Sequence, residues 1–347
     1  MSRTFFVATA AAMAMTASAH AQSILTAETA APNTTPGISI ISLSEASAKA
    51  GVADIQVLSG QTLTNSVQNV AEGKTDIAAA PFILPFMLSR GVGPYAGLGP
   101  EKGAELAENL AVLYTYRISV QGLFAYDSSN ISGWDGLEGK TIFNGPPRGA
   151  ALTNARLLIK VNTGLEEGKG YEGIQVNWGQ AVKTIQDGSA DAVVLPMSFP
   201  DPRVTAALAS GDMTIFSVSK NVFESEAFQN VGKLPGTVPF TMAIADMGYG
   251  NGVTIVSEDD MFRGPGTVGA DIVNVDMDFD LAKALTAAFI ANIESVYHAK
   301  APFMAGTWHG ETDIALTDMC GNNPLKYHPG AVAAWEEAGY VIPDCAK

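Results

Sequence analysis

The chain has 347 residues, of which 47% are hydrophobic and 16% charged, and its formal net charge is −15 at pH 7. The length suggests two domains, and the hydrophobic content is typical of a well-buried α/β protein. Because acidic side chains are in excess, we expect neither nucleic acid nor an anionic membrane surface as a partner. An acidic ligand needs a local cluster of donors in such a chain. Six arginines follow the first 21 residues: Arg90, Arg117, Arg148, Arg156, Arg203 and Arg263.

The first residues have the pattern of a secretory signal peptide. Arg3 precedes an apolar stretch over residues 5–15, and Ala19-His20-Ala21 forms a small-x-small cleavage site. The apolar stretch is too short to cross a bilayer as a helix. A buried N-terminal helix is the alternative. We expect a signal peptide over residues 1–21, cleavage after Ala21 and a periplasmic mature protein.

Strands and helices alternate from residue 24 onwards. Residues 24–27 and 53–58 predict strands, and residues 31–37 predict a loop that leads into a helix over residues 38–50. The β-branched residues at the start of that helix leave a strand as the alternative. A further strand is predicted over residues 174–177. Such alternation is typical of βαβ units with parallel strands.

One local pattern occurs twice, in residues 66–82 and 180–197. Each copy has a helix, a glycine stop, an aspartate, four apolar residues and a proline. These glycines, aspartates and prolines are Gly73, Asp76 and Pro81, and Gly188, Asp191 and Pro196. The glycine suits a helix end that needs positive φ, and the apolar run suits a strand buried in a parallel sheet. Coincidence is the alternative, but the repeat indicates two lobes of similar build, with ligand bound at the carboxyl ends of their strands.

Residues 139–154, GKTIFNGPPRGAALTN, predict a seat for a small anion. A short strand over residues 141–143 runs into a Gly-Pro-Pro-Arg-Gly loop, and a helix begins at Ala150. A loop that feeds a helix N-terminus presents unpaired backbone N–H groups and the positive end of the helix dipole. Arg148 adds a fork suited to a carboxylate or phosphate. The alternative is a surface Arg148 that pairs with a nearby acid.

Residues that carry catalytic or redox chemistry are few. In an exported chain Cys320 and Cys345 predict a disulfide, with two free buried thiols as the alternative. His298, His309 and His328 lack the spacing of metal ligands on a helix face, and the last is expected to be a turn residue before a terminal helix. No Gly-x-Ser-x-Gly, Walker or Cys-x-x-Cys motif occurs. We therefore expect no catalytic residue, no metal and no cofactor.

Taken together, these segments resemble the solute-binding proteins of TRAP transporters, and within them the TAXI subfamily, over most of the mature chain. Residues 145–150 (GPPRGA) are similar to a Gly-Pro-Pro-Gly-Ser-Gly-like loop of that family, and residues 63–70 (LTNSVQNV) to its Thr-Gly-Gly-Ser-Val-Glu-Asn-Leu segment. Residues 188–192 match its Gly-x-x-Asp-Ala strand, and residues 326–331 (KYHPGA) its terminal Pro-Leu-His-Pro-Gly-Ala motif. Residues 31–37 depart from the family's glycine-rich loop with its Tyr pair, and Arg148 stands in place of a small residue.

This resemblance implies a type II periplasmic-binding-protein fold, in which crossing strands join two α/β lobes around a ligand cleft. We expect lobe one over residues 22–124 plus 245–347 and lobe two over residues 125–244. The implied function is capture of a small organic anion, a carboxylate or amino-acid-like acid, by a monomer that docks on TRAP membrane permease subunits. The alternatives are a ligand sensor for a membrane receptor and an enzyme on the same fold.

The resemblance also implies a set of cleft residues. Arg148 is expected to clamp the carboxylate with the N–H groups of the loop around it, and Arg117 lies just before the first crossing strand, where a structural ion pair is the alternative. Phe82 and Met197 follow the repeated prolines, and a core role is the alternative for both. The predicted ligand-binding residues are Asn33, Thr34, Thr35, Asn65, Ser66, Phe82, Arg117, Pro147, Arg148, Gly149, Ala150 and Met197.

Overall fold

The computed structural model describes residues 23–147, 150–298, 317–321 and 323–347. Within these ranges twelve strands form one mixed sheet. The strands are β1 (Ser23–Glu28), β2 (Ala53–Leu58), β3 (Ile77–Pro81), β4 (Leu110–Tyr126), β5 (Thr141–Gly145), β6 (Glu172–Gln175), β7 (Ala192–Met197), β8 (Met213–Phe216), β9 (Thr237–Ala243), β10 (Val253–Val256), β11 (Met261–Asn274) and β12 (Lys326–Tyr327).

Helices cover the sheet and connect its parallel strands. The α-helices among the described residues are α1 (Thr35–Ala50), α2 (Leu63–Ala71), α3 (Ile83–Arg90), α4 (Gly99–Glu108), α5 (Ala150–Thr163), α6 (Ala181–Gln186), α7 (Pro202–Ala207), α8 (Lys220–Phe223), α9 (Glu226–Val231), α10 (Phe279–Ile290) and α11 (Pro329–Glu337). None of these described helices is long and apolar enough to cross a membrane.

The sheet has two halves with the same strand order. In the first half, strands run β2-β1-β3 in parallel and then meet the antiparallel β11, with β4 beyond it. In the second half, strands run β6-β5-β7 in parallel and then meet the antiparallel β4, with β8 beyond it. The long strand β4 therefore belongs to both halves, and the long strand β11 continues beyond the first half to pair with β9. This arrangement confirms the predicted fold class.

The repeated sequence pattern occupies equivalent places in the two halves. Gly73 and Gly188, which follow α2 and α6, have φ angles of 68° and 66°. Asp76 accepts a hydrogen bond from the backbone N–H of Thr26 in β1 at 2.7 Å. Asp191 accepts the matching bond from Thr141 in β5 at 2.8 Å. In each half the aspartate thus ties the start of the third strand to the first strand.

Three hydrophobic clusters divide the core along the crossing strands. The first cluster takes residues 110–116 of β4 and 268–273 of β11, whereas the other two take residues 120–125 of β4 and Phe262 of β11. Each long strand therefore contributes to a core on either side of its midpoint. The lobe boundaries given above stay a prediction.

Local structure follows the predicted elements with small differences. The helix predicted to begin at residue 38 begins at Thr35, because the Thr34 side chain caps it by accepting a hydrogen bond from Gly37 N at 3.2 Å. The strand predicted over residues 174–177 lies two residues earlier, as β6. His328 caps α11, since its Nδ1 accepts from Gly330 N at 3.1 Å. The predicted signal peptide lies outside the described residues.

A buried polar cluster joins α1 to the crossing strands. Asp271 of β11 has no exposed surface and accepts hydrogen bonds from Tyr114 and Tyr116 of β4 and from Ser39 of α1. The bond from Tyr116 measures 2.9 Å, as does the bond from Ser39. Burial raises the pKa of Asp271 to about 7, although these hydrogen bonds oppose the shift. Near neutral pH the carboxyl is therefore close to its midpoint of protonation.

The raised pKa of Asp271 predicts a stability difference that depends on pH. Because the pKa of Asp271 is higher in the folded state than in the unfolded state, its contribution to the free energy of unfolding is fully present below the unfolded pKa, near 3.8. This contribution is lost as the pH rises through the folded pKa, about 7. Asp271→Asn keeps an acceptor oxygen but cannot ionise. We expect the free energy of unfolding of the wild type, measured in urea, to fall relative to that of Asp271→Asn between pH 5 and pH 8. A constant difference across this range would contradict the shift.

The predicted disulfide is present. Cys320 and Cys345 are bonded across 25 residues, with their Cα atoms 5.5 Å apart. The bond ties the end of the chain to the segment before β12. In addition, Lys326 Nζ donates a hydrogen bond to the carbonyl of Cys345.

Removal of this disulfide is expected to destabilise the mature protein. Closing a loop of this length contributes about 3 kcal/mol through the entropy of the unfolded chain. The double variant Cys320→Ser, Cys345→Ser should lose about this amount in urea unfolding. Dithiothreitol should lower the stability of the wild type and leave the variant unchanged. Equal stability of the oxidised wild type and the variant would refute a stabilising role.

Candidate functional site

A small pocket lies where the crossing strand β4 meets β7 and β9. Its volume is about 10 Å³, which is room for about one water molecule. Three lining residues come from the middle of β4, three from the end of β7 and the residues after it, and one from β9. They are Arg117, Ser119, Val120, Met197, Ser198, Phe199 and Phe240.

Arg117 supplies the positive charge of this pocket. Its residue surface is 7% exposed, and its guanidinium carbon lies 5.0 Å from the centre of the Phe240 ring. A guanidinium over an aromatic face is held there by the ring quadrupole. The ring contact and the burial together fix the position of this arginine.

Two hydroxyls and several apolar side chains complete the lining. Ser119 lies two residues after Arg117 in β4, and the register of β4 on β11 shifts between these two residues. Ser198 follows Met197 at the end of β7, beside Phe199. A cation with hydroxyl donors next to apolar walls suits a small anion that carries a hydrocarbon part.

The start of α1 lies beside this pocket. Thr35 Oγ1 donates a hydrogen bond of 2.8 Å to the carbonyl of Ile118, the residue between Arg117 and Ser119. Thr35 is buried, Thr34 caps the helix and Asn33 is exposed. The hydroxyl of Thr35 therefore holds the loop against β4.

The predicted residues after β3 and in α2 have mainly structural contacts. Phe82 is fully buried in the first hydrophobic cluster, and its N–H donates to the carbonyl of Val268 at 3.2 Å. Val268 is the β11 partner of Arg117. Ser66 is buried, with its hydroxyl 3.4 Å from the carbonyl of Thr62, and Asn65 is exposed in the first turn of α2.

The Gly-Pro-Pro loop is described only in part. β5 ends at Gly145, Pro147 and Ala150 are exposed, and α5 begins at Ala150 as predicted. Arg148 and Gly149 lie outside the described residues. Neither Pro147 nor Ala150 lines the pocket around Arg117, as far as the described part of the chain shows.

Of the predicted ligand-binding residues in the described ranges, Arg117 and Met197 line this pocket together. The prediction missed the other five lining residues: Ser119, Val120, Ser198, Phe199 and Phe240. Ser119 and Ser198 have a usable signal, since each lies within two residues of a predicted site residue, Arg117 or Met197. Phe240 had none, because it reaches the pocket from a strand more than a hundred residues further along the chain.

Three other arginines are held by carboxylates of the chain. The ion pairs are Arg156 with Glu167 at 2.6 Å, Arg203 with Asp201 at 2.7 Å and Arg263 with Asp259 at 2.5 Å. The hydrogen bond from Arg156 lowers the pKa of Glu167. Among the described arginines, Arg117 is the one that lines the pocket. In the described ranges, no group of three His, Cys, Asp or Glu side chains is arranged to hold a metal ion.

Several solved structures are similar to this chain at low identity. A TctC solute-binding protein from Polaromonas has 11% identity and a TM-score of 0.48, over 84% of this chain and 91% of that one. The periplasmic aliphatic sulphonate binding protein of Escherichia coli has 11% identity and a TM-score of 0.45, over 85% and 88%. A TRAP periplasmic solute-binding protein of Pseudomonas aeruginosa with bound L-malate has 11% identity and a TM-score of 0.42, over 82% and 87%. At these values no ligand or partner is transferred to this chain.

The sequence itself matches one family model. No curated protein sequence matches this chain. The model described as the NMT1-like family, however, matches residues 26–339, which run from within β1 to the second residue after α11. This span contains both sheet halves, the crossing strands and every residue that lines the pocket. The chain belongs to the NMT1-like family.

Proposed function

We propose that this protein is a periplasmic receptor that captures a small organic anion, a carboxylate or amino-acid-like acid, for a TRAP-type transporter of the TAXI kind. The observation that carries the proposal is the buried guanidinium of Arg117, placed between two sheet halves with Ser119 and Ser198 beside it. The chain as a whole has a net charge of −15, so a buried positive charge in this pocket differs from its surroundings and favours an anionic ligand.

The geometry supports capture of a ligand with one charged end. A carboxylate can accept two parallel hydrogen bonds from a guanidinium, and serine hydroxyls add further donors. Met197 and Phe199 offer apolar surface to the rest of the ligand. Exclusion of water strengthens each charge-assisted bond, because the local dielectric constant falls. These are requirements of a binding protein and need no reacting group.

We further propose that the loop containing Arg148, with Gly149 and Ala150, supplies a second contact from lobe two over residues 125–244. The facing contacts would come from lobe one, over residues 22–124 and 245–347. Those facing residues are Asn33, Thr34, Thr35, Asn65 and Ser66. Closure of the two lobes around the ligand then creates the surface that docks on the permease, with the receptor acting as a monomer.

The permease partner is tested most directly by the genes beside the one that encodes this chain. Genes for a large and a small membrane permease subunit support transport. A neighbouring histidine-kinase gene instead supports a sensor that signals to a membrane receptor.

A thermal-shift panel tests the ligand class. Purified mature protein is screened against carboxylates, amino acids and sulfonates. An acid present at 100 times its dissociation constant should add about 2.7 kcal/mol to the free energy of unfolding, because it binds only the folded state. Neutral amides of the same acids serve as controls and should give no shift. A panel in which no acid raises the melting temperature would refute the anion-binding proposal.

Variants of the two arginines test the anchor. Arg117→Met keeps an unbranched apolar stem and removes the guanidinium, so it should weaken acid binding by about 2 kcal/mol or more in calorimetric titration. Arg148→Ala should cost a similar amount, about 2 kcal/mol, if that loop also contacts the charged end. Arg90→Met is the control, since Arg90 is exposed and lies over Phe86 away from the pocket. Unchanged affinity in Arg117→Met would place the anchor elsewhere.

A further inference from the structure

An ion pair lies directly behind one wall of the pocket. The wall is the segment from Pro196 to Phe199, in which Met197, Ser198 and Phe199 line the pocket. Behind it, Arg203 Nε donates to Asp201 Oδ1 at 3.0 Å and Arg203 Nη2 donates to Asp201 Oδ2 at 2.7 Å. Asp201 is 2% exposed, so this bidentate pair is largely shielded from water and is held in one geometry.

The pair also bonds the main chain on both sides of Met197. Arg203 Nη2 donates a second hydrogen bond to the carbonyl of Pro196, the residue before Met197. Asp201 Oδ2 accepts one from the N–H of Ser198, the residue after it, at 3.3 Å. The position of Met197 in the pocket wall is therefore set by two bonds that start from one ion pair.

Asp201 has two more bonds that fix the pair itself. It caps α7 by accepting from Arg203 N at 2.8 Å, and its own N–H donates to the hydroxyl of Tyr249 at 2.8 Å. The ring of Tyr249 packs edge-on against Phe199, with the ring centres 6.3 Å apart. The carboxylate is thus held by main chain and cation, and the backbone of Asp201 is held by an aromatic residue that itself supports the pocket wall.

The cationic side of the pair reaches the end of the neighbouring strand. The guanidinium carbon of Arg203 lies 5.8 Å from the ring centre of Trp178, the third residue after β6. Trp178 is 47% exposed, so its ring is supported from one side and open to solvent on the other. Arg203 therefore connects the residues that follow β6 with those that follow β7.

We propose that Asp201 and Arg203 are a positioning pair, which holds the segment from Pro196 to Phe199 in the geometry that binds ligand. Neither residue is assigned to contact the ligand. The consequence for affinity rests on the proposed function, whereas the consequence for the segment's order does not. The chain offers a matched control in Arg263, which pairs with Asp259 through two nitrogens and donates to the carbonyl of Met261 at 3.1 Å, outside the pocket lining.

Hydrogen–deuterium exchange of the mature protein without ligand tests the positioning. Arg203→Lys keeps the charge but loses the planar fork, so one ammonium replaces three directed bonds. Exchange in peptides that cover residues 196–203 should become about tenfold faster in Arg203→Lys, and should stay within about twofold of wild type in Arg263→Lys. Asp201→Asn keeps the helix cap and should also speed up hydrogen exchange in these peptides. This variant decides the question if Arg203→Lys fails to fold. Unchanged exchange in this segment would overturn the proposal.

Titration with L-malate, succinate and propane-1-sulfonate gives the second readout. For any of these acids that binds the wild type, Arg203→Lys should raise the dissociation constant by about tenfold and Arg263→Lys by no more than about twofold, because a loosened wall misplaces its contacts. An equal loss of affinity in Arg203→Lys and Arg263→Lys would show a purely structural role and would overturn the proposal. Failure of all three acids to bind the wild type counts against the proposed ligand class, while the exchange experiment still decides the positioning.

Discussion

The antiparallel pairing of β4 and β11 is the constraint on which the rest of the structure depends. These strands pair from Leu110 to Val120 on one side and from Gly266 to Asn274 on the other, and each contributes to hydrophobic clusters on both sides of its midpoint. Hydrogen bonds from Tyr114 and Tyr116 of β4 to Asp271 of β11 stabilise this pairing beneath α1. Any relative movement of the two halves must therefore be absorbed in a few residues near the middle of these strands.

That midpoint is also where the pocket lies. Arg117 and its β11 partner Val268 stand at the transition, and a register shift interrupts the ladder between Thr267 and Val268. Gly269 allows close approach, because a Cβ there would lie 2.4 Å from the carbonyl oxygen of Ala80. In the proposed function, a ligand charge held by Arg117 would be attached to this strand segment, so binding and relative movement of the halves would act on the same residues.

Much of the fold could be predicted from sequence because its signals are local. The glycine, aspartate and proline of the repeat lie within nine residues of one another, and their roles follow from φ angles and strand edges. The start of α1 was misplaced by three residues because its cap depends on how the Thr34 side chain turns back on Gly37. The family match supports the general class and leaves the TAXI assignment as part of the proposal.

The pocket was harder to predict because it is assembled from distant segments. Arg117 stands out in the sequence as an arginine, and Met197 as the residue after a proline, but no local pattern connects them to Phe240. The same holds for the ion pair behind the wall: Asp201 and Arg203 look like an ordinary helix start, and only their bonds to Pro196 and Ser198 connect them to the site. Long-range contacts of this kind leave no periodic trace in a single sequence.

A pocket with a volume of about 10 Å³ has a kinetic consequence. Under the proposed function, an acid of several heavy atoms would enter only after the walls separate, so the observed association rate would equal the encounter rate multiplied by the fraction of molecules that are open. The apparent affinity is reduced by that same fraction. Residues that do not touch the ligand, such as those that hold β4 against β11, would then tune the rate and affinity of the proposed binding by changing how often the protein opens.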